Sequence, residues 1–266
     1  MKNSEKLYIR VILLVVLCYS CIYKSSGQSI KMVHEGKISY ERKINVYALL
    51  NKYYATDDAL KQFAAEYKNN HPQFQVRTFT LTFNDHISVF APEKETDGFS
   101  DDKNDFLDML AGLNTVWTSF DSRERISKKI VFDKTYTISD SLKNIRWKMT
   151  SETREIAGYV CRRANAVISD SLYVVAYYTD QIVPKAGPES LHGLPGMILG
   201  LALPHEHVTW FASKVSVIKP MENIAKVPDP EKNKITSDEL QNILLKNPAL
   251  PIKDKRSQFI IRKILL

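Results

Sequence analysis

From Val116 to about residue 218 the chain is cut into short strand-like segments separated by turn-prone pairs. The segments are 115–120, 126–132, 134–138, 144–150, 158–168, 172–180, 197–203 and 207–218, punctuated by Asp133-Lys134, Asp140-Ser141 and Asp170-Ser171. Asp-Ser or Asp-Lys pairs favour turns between them, and in 172–180 both sides of the strand are fairly apolar, as burial on both faces requires. Short strands at this spacing predict one curved antiparallel sheet, a half-barrel or open barrel.

The upstream part fits the same plan. Ile38, Tyr40 and Ile44 alternate in a first strand that opens at Gly36. Phe79, Leu81 and Phe83 oppose Thr78, Thr80 and Thr82, Asn84-Asp85 turns the chain, and Ile87, Val89 and Phe90 return as a hairpin. Between strand and hairpin, Thr56-Asp57-Asp58 reads as a helix start for Leu60, Phe63, Ala64 and Tyr67, a stripe that would pack on the sheet. Residues 91–113 are an acidic excursion with a short helix expected near Phe106, Leu107 and Leu110. At the other end Thr236-x-x-Glu239 is a capping box ahead of Leu240, Ile243 and Leu244. The expected fold is therefore mainly β (α+β), with one or two packed helices and a helical C-terminal tail.

The amino terminus has a basic start at Lys2, Lys6 and Arg10, an unbroken apolar run Val11–Leu17, and the small residues Ser25-Ser26-Gly27. That order predicts a secretory signal over 1–27. Tyr19, Ser20 and Lys24 break the apolar run before the roughly 20 residues a spanning helix needs, so no transmembrane segment is expected after cleavage. The remaining chain is read as a β-rich domain, 28–225, followed by a linker and helical tail, 226–266. Four basic residues and Glu5 leave with the signal, so the formal charge of +7 falls to about +4. This mild, scattered excess, together with export, argues against a nucleic-acid partner. Cys18 and Cys21 leave too, so Cys161 stays alone and the fold rests on its apolar core without a disulfide.

Residues 147–218 hold the most specific pattern: Trp147-Lys148-Met149, Gly158-Tyr159-Val160-Cys161, Ala176-Tyr177-Tyr178-Thr179-Asp180, Gly187-Pro188, and Gly193-Leu194-Pro195-Gly196-Met197-Ile198. Together with Gly36-x-Ile38-x-Tyr40-Glu41 and Leu81-Thr82-Phe83-Asn84, they resemble the GLPGLI family of exported Gram-negative proteins, with Met197 where the family name has Leu. The resemblance implies a periplasmic, outer-membrane-associated or secreted protein. It brings no established biochemical activity, and it points toward an outer-membrane import receptor or another envelope protein as partner.

Physically, Pro195 has a fixed φ and Gly193 and Gly196 are free to take positive φ, so the hexapeptide reads as a rigid crossover between strands. Its functional reading makes Gly187, Pro188, Gly193, Leu194, Pro195 and Gly196 the lip of a ligand cavity. Tyr173, Tyr177, Tyr178, Trp210 and Phe211 are the aromatic candidates for its wall. The chemical candidates are fewer. His205 and His207 would share a strand face, and His192 could complete a zinc or copper site; exposed histidines at a loop–strand junction are the plainer reading. Cys161 beside Arg162-Arg163 could be a reactive thiol, though a lone cysteine is usually a small buried hydrophobe. No Gly-rich phosphate loop, serine-hydrolase elbow or CxxC pair occurs in the sequence. An exported binding or adaptor role is expected ahead of catalysis, with no cofactor favoured.

Overall fold

The computed structural model describes residues 32–54, 58–93, 113–131, 134–168, 172–217 and 234–247, and beyond these residues 257, 258, 260, 261 and 264. The leader, most of the acidic excursion with its expected helix, and most of 226–235 lie outside the described residues. Met32–Leu266 form one compact unit.

The strands are β1 (Gly36–Asn45), β2 (Phe74–Phe83), β3 (Ile87–Pro92), β4 (Thr115–Ser119), β5 (Glu124–Val131), β6 (Lys134–Ser141), β7 (Lys148–Ile156), β8 (Tyr159–Ile168), β9 (Leu172–Thr179), β10 (Met197–Leu203), β11 (Val208–Ser216) and β12 (Lys234–Ile235). Among the described residues the helices are α1 (Val46–Tyr53), α2 (Asp58–Asn70) and α3 (Ser237–Leu245), and residues 257, 258, 260, 261 and 264 are helical too. All twelve strands join one open sheet in the order β12-β6-β5-β4-β3-β2-β1-β11-β10-β9-β8-β7. Every pairing is antiparallel except the short parallel contact of β12 with β6.

The sheet curls. Strands β11 and β7 stand four places apart in that order, which in a flat sheet would separate them by roughly 19 Å. Instead their Cα atoms come within 8 Å, and the Arg154 guanidinium of β7 lies 4.7 Å from the Phe211 ring centroid on β11. The mainly β, curved antiparallel sheet expected from the spacing of short strands is the fold found.

Local sequence explains the elements. Asn84 accepts from the backbone N–H of His86 and Ile87, at 2.9 and 2.8 Å, and so forms the β2–β3 turn. Ile38, Tyr40 and Ile44 of β1 and Phe79, Leu81 and Phe83 of β2 are buried, as alternation demands. Tyr40 donates from its hydroxyl to the Ile198 carbonyl at 2.7 Å, which satisfies the one polar atom that this ring brings into the core.

The sequence reading missed α1. Its signal is present: Asn45 caps the helix by accepting from Ala48 N at 3.1 Å. Val46, Leu49, Leu50 and Tyr53 then bury one face at helical spacing. With α1 and α2 beside the sheet and α3 in the C-terminal tail, the expected one or two packed helices and helical tail are the ones found. The expected strand over 144–150 is also shifted: residues 142–147 are irregular and the strand runs from Lys148 to Ile156. The reason is tertiary, because Trp147 Nε1 donates to the His192 carbonyl at 2.9 Å and holds this strap away from the ladder.

Candidate functional site

Curling brings the two arms of the sheet face to face around a cleft of about 600 Å3. Arg125 and Ser141 come from β5 and β6 on one arm, and Val167, Ile168 and Leu172 from β8 and β9 on the other. The strap Leu142–Arg146 forms one rim, Ser190-Leu191-His192 another, and Ser237, Asp238 and Gln241 of α3 close the end. A volume of this size falls in the range usual for small-molecule sites.

Asp140 fixes α3 beside the cleft. Its carboxylate accepts from Ser237 N at 3.1 Å and Ser237 Oγ at 2.5 Å, and it is paired with Arg125. Burial pushes this carboxyl up, but the Ser237 hydrogen bonds and the Arg125 charge outweigh it and hold Asp140 below the usual range. The capping box read from Thr236 and Glu239 is present: Glu239 N donates to Thr236 Oγ1 at 3.1 Å and Thr236 N donates to Glu239 Oε2 at 2.7 Å. Arg125 Nη2 donates to both Asp140 and Ser237, whereas its buried Nε has no acceptor among the described residues.

The segment from Val183 to Gly196 lies across the inner face of the half-barrel. Gly193 N donates to Lys185 O at 3.1 Å, Ile198 N to Ala186 O at 2.8 Å, and Met197 N to Ile182 O at 3.1 Å. Gly196 N donates to Leu194 O at 2.7 Å, closing a three-residue turn around Pro195. Leu194, Met197, Ile198 and Leu199 are fully buried. Gly196 has φ +134, and a Cβ there would lie 2.0 Å from the Thr179 carbonyl oxygen. Gly187 packs tightly as well, since its Cβ would meet Ile198 Cβ at 2.8 Å. The Pro188 carbonyl accepts from Leu191 N at 3.3 Å. Packing thus explains the hexapeptide, and the residues that reach the cleft are its upstream neighbours Ser190, Leu191 and His192.

Glu189 sits in this segment with φ 56 and is buried. Asn114 Nδ2 donates to it at 3.2 Å, and its charge acts on Arg42 of β1 and Lys129 of β5. Burial lowers Arg42 to about 10 and Lys129 to about 8, with Glu189 opposing both shifts. Lys129 Nζ also donates to the Ile264 carbonyl at 2.8 Å.

The three histidines do not converge. His192 stands on the cleft rim with Nδ1 2.9 Å from the Ser190 carbonyl. Burial, aided by the Arg125 and Arg123 charges, holds its imidazole below the ordinary value against the pull of the Ser190 and Lys143 backbone. His205 lies in a single 3-10 turn begun by Pro204, and His207 takes a left-handed φ of 51 before β11 starts at Val208. The same-face argument assumed a strand there and does not apply. Among the described residues no three His, Cys, Asp or Glu side chains are grouped to hold a metal.

Cys161 is fully buried, and burial pushes its thiol up to about 12. Arg162 and Arg163 are engaged elsewhere, with Asp180 at 2.8 Å and Glu152 at 2.5 Å. Tyr177, Tyr178 and Trp210 fill the core, and no Phe, Tyr or Trp lines the cleft among the described residues. The sequence reading missed Arg125, the strap 142–146 and Gln241, because nothing local says that β5, β8 and α3 meet.

Residues 118–242 match the family model of the N-glycanase peptide, N-terminal domain. Structures of PNGF-II in C2 and P21 space groups share the fold at a TM-score of 0.50 and 15% identity, over 80% of this chain. The chain spans only 33% of the PNGF-II chain. No curated protein matches by sequence. The fold is shared; most of the sequence is not.

Proposed function

We propose that this is an exported envelope binding module of the GLPGLI type, which holds a ligand in the cleft between the arms of the half-barrel and works with an outer-membrane import receptor. The observation that carries the reading is the cleft itself: about 600 Å3, built from both arms of the sheet, the 142–146 strap and α3. Near it the Asp140 carboxylate is committed to Ser237 and Arg125, and His192 Nδ1 lies 2.9 Å from the Ser190 carbonyl, which supports binding over turnover. Similarity to a domain named as the N-terminal domain of an N-glycanase peptide supports a glycan-related ligand or partner. The basic, apolar and small-residue zones of 1–27 support export, and the family resemblance supports the receptor.

Native mass spectrometry on protein purified from its own envelope tests this. A retained small-molecule mass is expected in the parent protein and its loss in Gln241→Trp, which places an indole in the cleft from the exposed face of α3. Equal native and denatured masses for the parent protein would refute the cleft reading.

A further inference from the structure

We infer that the cleft is a site for an anionic amphiphile: an aliphatic chain against the β8–β9 wall and a phosphate or carboxylate head at the strap. This rests on the cleft reading above and adds the chemical class of the occupant. The lining combines two chemistries. Ile145, Val167, Ile168, Leu172, Leu191 and Ile261 give branched aliphatic surface drawn from four parts of the fold. Arg125, Lys143 and Arg146 line it as well, against the lining carboxylate of Asp238 among the described residues.

Two of these cations are uncommitted. Lys143 and Arg146 are exposed on the rim and neither makes an ion pair or side-chain hydrogen bond among the described residues. The absence of Phe, Tyr and Trp from the described lining removes the flat rings on which a planar or ring-shaped ligand would stack, and favours a flexible chain. Val167, at the cleft margin, leaves 62% of its apolar surface exposed.

Isothermal titration of the full chain with octyl phosphate, decyl phosphate, decanol and inorganic phosphate tests the inference. Decyl phosphate is expected to bind one to one, and more tightly than octyl phosphate by roughly fifteenfold, from about fourfold per methylene. Decanol and inorganic phosphate should each bind at least about tenfold more weakly, since each offers half of the complement. The rim double variant Lys143→Glu/Arg146→Glu should weaken decyl phosphate by at least about tenfold, while Lys214→Glu, away from the cleft, should not.

Equal binding of inorganic and decyl phosphate would overturn the aliphatic half, and indifference to the double charge reversal would overturn the anionic half. Failure of decyl phosphate to bind, with a Gln241→Trp-sensitive native mass still retained, would remove this ligand class and leave the cleft reading intact. Failure of both would remove both.

Discussion

Replacing Gly196 by alanine is the sharpest perturbation of the fold. Two costs add at this position. Its φ of +134 is a conformation that L side chains rarely adopt, and a Cβ would lie 2.0 Å from the Thr179 oxygen and 2.8 Å from its carbonyl carbon. Backbone strain of this kind costs about 1–3 kcal/mol, and forcing an extra carbon into packed surroundings costs roughly another 1–3 kcal/mol. Because the opposing atoms are backbone of β9 and its exit, no side chain can swing aside to relieve the clash. The sum, roughly 2–6 kcal/mol, is a large share of the 5–15 kcal/mol that holds a typical domain together. For a chain of this size it lowers the melting temperature by roughly 5–20 °C.

Gly193 supplies the internal control. It also has positive φ, +90, but the nearest atom to its Cβ would be Trp147 Nε1 at 3.9 Å. Gly193→Ala should therefore lose only the conformational term, about 1 kcal/mol. Thermal melts followed by circular dichroism, with urea titrations to confirm the slope, read both variants. If Gly196→Ala melts within a degree or so of the parent, or together with Gly193→Ala, the close approach to Thr179 is not what the hexapeptide is for.

Two further outcomes follow from the described geometry. Asp140→Asn removes the carboxylate that caps α3 and pairs with Arg125, and should cost about 3 kcal/mol near pH 7, at the low end for breaking a buried pair. The folded Asp140 carboxyl lies below its unfolded value, so its contribution is complete above about pH 4 and is lost as pH falls through the folded pKa. The gap between parent and variant, measured by urea titration, should accordingly close towards pH 2; a gap independent of pH refutes the assignment. Cys161, with its thiol raised to about 12, should resist iodoacetamide at pH 8 in the native protein and react fully in urea. Rapid native alkylation would show that the core around β8 is open.

How far the sequence could be read depended on whether a feature is local. Alternation along 79–83 determined a strand, because period-two burial needs only the chain's own pleat, while the short apolar runs 172–179 and 197–203 read as strands buried on both faces. The Thr236–Glu239 capping box determined the start of α3, because both partners lie within one turn. The rigid crossover at Gly193–Gly196 was legible for the same reason, since Pro195 and two glycines restrict the backbone wherever they occur. Helix α1 was legible as well, through Asn45 and the spacing of Val46, Leu49, Leu50 and Tyr53, but it follows β1 without a break and was lost against the strand.

Only the tertiary structure decided the rest. Curling of the sheet brings Arg125 and Ile168 to one cleft from strands far apart in order, and no periodicity encodes the degree of curl. Asp140 and Ser237 lie 97 residues apart, and their pairing turns a helical tail into a wall of the site. Likewise His205 and His207 were separated by a 3-10 turn whose shape depends on how Pro204 leaves β10. Long-range contacts chose which polar residues face each other, so the strands could be read from the chain while the cleft could not.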